Sequence, residues 1–324
     1  MGPGGSIIVG AAALIAIDWG TTAARAYRMN ARGDVCGVHS APLGIARVQD
    51  RRFADALAAV LGDWRNDPGP RLACGMIGSR QGWREVPYVA CPASLDALAG
   101  GIATVSDAGL AIVPGLVTRD AFGMPDVMRG EETQLMGAIA PHEPAVLAVL
   151  PGTHSKWARV ERGRVVDFAT FMTGELYAVL LAHSILGRMA ERTDRPVIGP
   201  AFERGVQRGL RSGGLTHMIF GARTLVLAGE LEAPAVDEWL SGVLVGAEIR
   251  DATAWAQESA VAATHVRVIG DDALVARYAN ALALAGVMAD HGDPHAAARG
   301  LWRIAGQAGL VDRTGRGWDD DAAP

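Results

Sequence analysis

The chain has 324 residues, half of them apolar, which leaves room for two domains with sizeable cores. Its 30 Lys and Arg against 35 Asp and Glu leave a formal net charge of -5 with no long run of either sign, so no nucleic-acid partner is expected. Cys36, Cys74 and Cys91 are odd in number and far apart, which indicates neither a disulfide framework nor a zinc site and suits a reducing cytoplasm. Residues 7–17 are apolar but lack a basic stretch ahead of them, and a membrane helix needs about 20 apolar residues. That run leads straight into Asp18, so residues 1–12 read as an extension and 15–17 as a buried strand. Neither a targeting segment nor a membrane partner is expected.

In chain order, the first informative stretch is Ile15-Ala-Ile-Asp18-Trp-Gly20-Thr21-Thr22, followed by alternating residues to Arg28. Apolar strand, tight turn and alternating strand predict a β-hairpin. Gly20 permits close backbone approach, and Thr21 and Thr22 offer hydroxyls and amides to phosphate oxygens. Asp18 stands where a buried strand emerges, either as a carboxylate for hydrated Mg²⁺ or as a turn-capping residue of an ordinary hairpin. A third strand is expected at 35–40 and a helix at 52–64, where Phe53, Ala56, Leu57, Val60, Leu61 and Trp64 share one face. Residues 71–76 predict a buried strand running into a glycine-bearing loop with Ser79, Arg80, Trp83 and Arg84, either a ligand loop or a plain connection. Another strand is expected at 107–113. Glu131 and Glu132 then open a helix, where acidic charge complements the helix dipole whatever else it does. Pro141 and Pro144 break the chain, dividing it into domains 1–140 and 141–324.

The second half repeats the opening. A strand at 145–150 reaches Pro151-Gly152-Thr153-His154-Ser155-Lys156, and an alternating strand and a third strand at 164–169 follow. Ala26 and Ala158 hold matching places, and the paired hairpins imply a duplicated fold with two facing phosphate loops. His154 is either a solvated turn residue or a phosphate contact, and Lys156 is equally well an exposed charge. Helices are expected from Thr173, as N-cap, to about 190, then over 199–214, 239–254, 273–286 and 300–309. A strand at 265–269 turns at Gly270, and residues 312–324 read as a polar tail.

The segments IAIDWGTTAARAY, GMIGSRQGW with PYVACPA, VMRGEETQLMGA, LPGTHSKW, FMTGELYAVLLAHSIL and LSGVLVGAEI run in order from about residue 15 to 249. Together they resemble the 2-dehydro-3-deoxygalactonokinases, sugar-acid kinases of the actin/hexokinase/Hsp70 superfamily. The resemblance implies an α/β fold of two ribonuclease-H-like (actin-like ATPase) domains flanking a nucleotide cleft, with ATP and Mg²⁺ as cofactors. The implied reaction phosphorylates the terminal 6-hydroxyl of 2-dehydro-3-deoxy-D-galactonate. Rival readings are a kinase of another sugar or polyol, a non-kinase actin-like ATPase or regulator, and a phosphatase-type relative.

The same resemblance implies site roles. Gly20, Thr21, Thr22 and Arg25 would form one phosphate clamp, and Gly152, Thr153, His154 and Ser155 the other. Arg25 has the alternative of a surface charge or a cross-strand pair. Asp18 would hold Mg²⁺ through water. Related sugar kinases carry a carboxylate of a Gly-Asp-Gln type motif just before the second hairpin, where Gly130-Glu131-Glu132 stands here, so Glu131 is the expected base with Glu132 in reserve. Leu150 and Pro151 replace the carboxylate that usually opens the second hairpin, which argues against a metal role there. Adenosine is expected near Gly174, Gly246 and Gly270. Ser79, Arg80 and Arg84 are candidates for the sugar acid, with Trp83 either walling the sugar or simply core. A small-molecule sugar acid is the expected partner, and a homo-oligomer is compatible with the sequence.

Overall fold

The computed structural model describes residues 12–190, 198–257 and 264–312. The expected extension before Ala12 and the polar tail beyond Asp312 lie outside the described residues. The chain divides into two compact units, one of residues 12–117, 127–140 and 295–312, the other of residues 118–126 and 141–294. The expected break near 141 falls at a unit edge. The C-terminal segment, expected in the second half, belongs instead to the first unit.

The first unit is built on β1 (Leu14–Trp19), whose apolar run is buried on both faces. β1 pairs antiparallel with β2 (Ala24–Met29), which pairs antiparallel with β3 (Val35–Ala41). Next comes α1 (Phe53–Leu61), which buries Phe53, Ala56, Leu57, Val60 and Leu61 and ends where Gly62 takes φ 58°. A 3₁₀ turn therefore replaces the last turn expected out to Trp64. β4 (Arg71–Cys74) lies parallel to β1. Two short strands, β5 (Val89–Ala90) and β6 (Ala93–Ser94), precede α2 (Leu95–Gly100). After β7 (Ala103–Val105), β8 (Leu110–Ile112) is shorter than expected, because residues 106–108 form a 3₁₀ turn. The sheet order is β3-β2-β1-β4-β8-β7. β9 (Leu116–Arg119) and β10 (Pro125–Met128) form a small separate sheet with β5. α3 (Glu131–Ala138) closes this part. Ile15, Ile17, Trp19, Leu57, Ile77 and Ile112 share one core.

The second unit repeats the pattern. β11 (Val146–Leu150) pairs antiparallel with β12 (Ser155–Glu161), and β12 with β13 (Arg164–Phe171). α4 (Thr173–His183) follows. Thr173 is its first residue, while Met172 holds the cap position and no side chain caps the helix. It stops at His183, well before residue 190, with Ser184 Oγ donating back to the Leu180 carbonyl. α5 (Pro200–Leu210), α6 (Leu215–Ile219) and α7 (Gly221–Leu227) lead to α8 (Val236–Gln257), the long helix of the unit. β14 (His265–Val268) runs parallel to β11, α9 (Asp272–Leu284) follows, and β15 (Met288–His291) runs parallel to β14. The order β15-β14-β11-β12-β13 matches β8-β4-β1-β2-β3 of the first unit. Both are the ribonuclease-H arrangement of an antiparallel three-strand meander extended by parallel strands, so each half has the expected actin-like α/β fold.

α10 (Ala296–Gln307) then packs on α3, its Arg303 donating to the Ile139 carbonyl at 2.9 Å. This packing is why the last segment joins the first unit. It also lays Trp302 against the β2–β3 turn at Gly33. Among the described residues no helix is long and apolar enough to cross a membrane.

Candidate active site

In the first unit the β1–β2 register sets Asp18 opposite Arg25. Gly20, Thr21 and Thr22 form the hairpin tip, with both threonines exposed and Gly20 N donating to the Ala23 carbonyl. The backbone of residues 44–46 braces that tip. Ile45 N donates to Gly20 O at 3.0 Å and Ala46 N to Thr21 O at 3.1 Å. Sequence reasoning missed this brace, for which Gly44 was the available signal. Asp18 is partly buried, and desolvation raises its pKa from 3.8 to about 6, against the pull of Arg25 and with a further push from Glu131. Asp18 and Glu131 are therefore electrostatic neighbours.

Gly130 makes that neighbourhood available. It takes φ 109° as the residue before α3, and a methyl group there would stand 3.2 Å from Gly75 Cα. Only glycine combines that dihedral with that approach. The two following carboxyls separate in environment. Glu132 is fully buried, accepts from Gly130 N at 2.6 Å and from Thr133 Oγ1 at 2.9 Å, and has its pKa pushed to about 8, mainly by desolvation and then by the Glu131 charge. Glu131 is only partly buried and accepts from Arg129 N at 3.0 Å. The pair thus offers one neutral internal acid and one carboxylate open to a ligand.

The loop after β4 folds back on itself. Gly82 N donates to Ser79 O, Trp83 N to Ile77 O and Val86 N to Gly78 O. Trp83 stacks on Phe53 with centroids 5.9 Å apart and packs on the first core, so of its two expected roles the structure gives it the core one. Arg84 is exposed and donates to the Thr104 carbonyl, on the surface beside β7. Arg80 is exposed. Ser79 is buried, and its hydroxyl has no partner. Beside it lies a residue the sequence reading passed over. Arg129 is 8 % exposed, donates from Nη2 to Val86 O at 2.7 Å and lies 4.4 Å from the Tyr88 ring centre.

In the second unit Gly152, Thr153 and His154 form the β11–β12 tip. Glu175 N donates to Thr153 O at 2.9 Å, and a methyl on Gly174 would stand 2.4 Å from Gly152 O, so the start of α4 clasps this hairpin. His154 is exposed and contacts the Glu175 carboxylate through Nε2. Lys156, for which an exposed charge was one of two open readings, is 5 % exposed and donates to the His154 carbonyl. Ser155 points inward, hydrogen-bonding Tyr278 OH at 2.9 Å. Tyr278 OH and Trp157 Nε1 each donate to Glu248 at 2.8 Å. Burial raises the pKa of Glu248, whose carboxyl ties the hairpin to α8 and α9.

A cavity of about 320 Å³ opens in this unit, lined by Gly152, Thr173, Gly174, Tyr177, Ser241 and Arg277 among others. Gly174 and Gly152 line it; Gly270 follows β14 next to Pro151. Gly246 does not belong to it. A methyl there would stand 2.4 Å from the Val206 carbonyl, so this glycine serves the close crossing of α5 and α8.

Duplicated ribonuclease-H units, each with a Gly-Thr hairpin, and a Gly-Glu-Glu helix start in the first define a carbohydrate kinase of the actin-like fold. The chain belongs to the 2-keto-3-deoxy-galactonokinase family, whose model matches residues 18–304. It is 38% identical over 270 residues to the 2-dehydro-3-deoxygalactonokinase of Escherichia coli, covering 82% of this chain and 88% of that protein. A Rhizobium meliloti protein assigned the same activity is 38% identical over 246 residues, covering 74% and 80%. A solved structure from Sinorhizobium meliloti, also assigned as a 2-dehydro-3-deoxygalactonokinase, has a TM-score of 0.81 at 33% identity, covering 90% of this chain and 98% of that one.

Proposed function

We propose that the protein transfers the γ-phosphoryl group of ATP to the 6-hydroxyl of 2-dehydro-3-deoxy-D-galactonate, giving the 6-phosphate and ADP in the cytoplasm. Family membership supports the substrate class, and the observation that carries the chemistry is the unequal pair at the start of α3. Glu131, open to a ligand and close to Asp18, aims the acceptor hydroxyl and takes its proton as the O–P bond forms. Glu132, buried and neutral, keeps a second negative charge away from the approaching phosphates.

Phosphoryl transfer leaves the protein mainly positioning and charge neutralisation. In the first unit the amides of Gly20, Thr21 and Thr22, their hydroxyls and the exposed Arg25 bind phosphate oxygens. In the second unit Gly152, Thr153, His154 and the amide of Ser155 do so. Each charge-assisted hydrogen bond contributes about 1.5–3 kcal/mol. Adenosine fits the cavity beside Gly174, and Gly270 marks the turn next to the hairpin.

No cluster of three or more His, Cys, Asp or Glu suited to a metal occurs among the described residues. Mg²⁺ retains most of its water and is commonly held by one or two carboxylates plus substrate phosphates, so Asp18 with Glu131 nearby fits it. When bound, Mg²⁺ would neutralise phosphate charge, with Asp18 holding it through water.

The test is ADP release measured over a panel of 2-keto-3-deoxy sugar acids, with phosphorus NMR of the product. Turnover of the D-galactonate derivative to a primary phosphate ester is expected. ATP hydrolysis that no sugar acid, sugar or polyol accelerates would overturn the proposal in favour of a non-kinase ATPase.

A further inference from the structure

Arg129 is a buried cation with most of its donors unused. Nη2 is satisfied by Val86 O, but Nε and Nη1 are fully enclosed and bond to nothing. Nη1 lies against Gly78, and the next residue is Ser79, 7 % exposed, with its hydroxyl also unpartnered. Three idle polar atoms, two of them on one guanidinium, therefore belong to Arg129 and to the residue that follows the glycine it packs on. Proteins satisfy buried polar groups almost without exception, and a buried cation without an anion is the costliest kind to leave idle. Packing does not excuse the arrangement, since the Tyr88 face beside the guanidinium contributes only a cation–π contact.

We propose that Arg129 and Ser79 form the subsite for the carboxylate of the acceptor sugar acid, with Tyr88 as the ring that covers it. The inference rests on the reading of the acceptor as a sugar acid. A planar guanidinium with free donors matches a planar carboxylate, and the neighbouring hydroxyl supplies one more hydrogen bond. Tyr88, 42 % exposed, covers the guanidinium, whose other contacts include Gly78 and the Val86 carbonyl. Sequence adjacency supports the assignment. Arg129 and Glu131 flank Gly130, so one short segment recognises the acid end of the acceptor and activates its hydroxyl end. The other arginines of the neighbourhood are less suited, because Arg84 is tied to Thr104 O and both Arg80 and Arg84 are exposed.

The experiment compares wild type, Arg129→Lys and Ser79→Ala on the keto-deoxy acid and on the same carbon chain with its carboxylate reduced to a hydroxymethyl group. Affinity for a fluorescent ATP analogue and the melting temperature are measured alongside. Wild type is expected to prefer the acid by kcat/KM. Arg129→Lys should raise KM for the acid roughly 10–100-fold and Ser79→Ala roughly 3–10-fold. Neither should change turnover of the neutral analogue or nucleotide affinity, so the acid preference collapses. Equal proportional losses on acid and neutral analogue would overturn the subsite and leave Arg129 a structural residue. Should Arg129→Lys fail to fold, Ser79→Ala decides: an unchanged KM for the acid overturns the proposal. Wild type inactive on every sugar acid would instead refute the functional reading, an outcome that no variant is needed to recognise.

Discussion

Glu132→Gln probes the electrostatic asymmetry at the start of α3. The folded protein encloses the Glu132 carboxyl completely and lifts its pKa from 4.5 to about 8, mainly through desolvation. A raised acid pKa means that folding favours the protonated form. The stability this group contributes is full below pH 4.5, declines as pH rises through the window, and is lost above about 8. At about 1.36 kcal/mol per pKa unit, the shift corresponds to about 5 kcal/mol across that window, reduced to about 2–5 kcal/mol if ionisation lets water in. Gln cannot titrate. It also misplaces an amide against Gly130 N or Thr133 Oγ1, which costs about 1–3 kcal/mol at every pH alike. The informative quantity is therefore the slope and not the offset. Urea unfolding of both proteins at half-unit steps from pH 5 to 8 should show wild type losing ground to the variant by about 1.5–3.5 kcal/mol as pH rises. Parallel stability curves would refute the reasoning, since Glu132 would then titrate alike in folded and unfolded chains.

Three further outcomes are expected. Asp18→Asn should raise the Mg²⁺ concentration for half-maximal velocity roughly 10–100-fold, as removal of a water-mediated metal partner does; an unchanged requirement in a Mg²⁺ titration would remove Asp18 from the metal. Gly246→Ala should destabilise by about 1–3 kcal/mol through overpacking against Val206 O, with KM for ATP unchanged. A changed KM without a lower melting temperature would return this glycine to the nucleotide. Tyr278→Phe removes a donor to Glu248 and the partner of Ser155, so it should cost about 1–3 kcal/mol of stability, and an unaltered melting temperature would contradict the clamping role.

The duplicated fold was legible because both hairpins obey local rules. An apolar strand, a Gly-Thr tip and an alternating return strand are set by residues within one short stretch, and the sequence repeats them at 15–28 and 147–160. The reading failed where long-range packing decides. Nothing local says that α10 returns to α3 or that residues 44–46 brace the first tip. Gly246 and Gly174 look alike in sequence, each a glycine in a helix of the second half. One meets the backbone of a crossing helix and the other the backbone of the β11–β12 hairpin, and only the structure tells them apart. The arginines show the same limit. Arg80 and Arg84 stand in an eye-catching glycine loop yet lie on the surface, whereas Arg129 stood unremarked beside the Glu pair and is buried with idle donors. Burial of a charge is a property of the whole fold, invisible to motif spacing.

The most direct test of the account is single-turnover phosphoryl transfer from ATP to 2-dehydro-3-deoxy-D-galactonate by Glu131→Gln, with ATP affinity measured in parallel and Glu132→Gln as the comparison. Removing a positioned general base should lower kcat roughly 10²–10⁴-fold. Nucleotide binding should stay within about twofold, because the lost interaction forms only as the hydroxyl reacts. A near-normal kcat for Glu131→Gln, or a loss confined to Glu132→Gln, would contradict the assignment of the base.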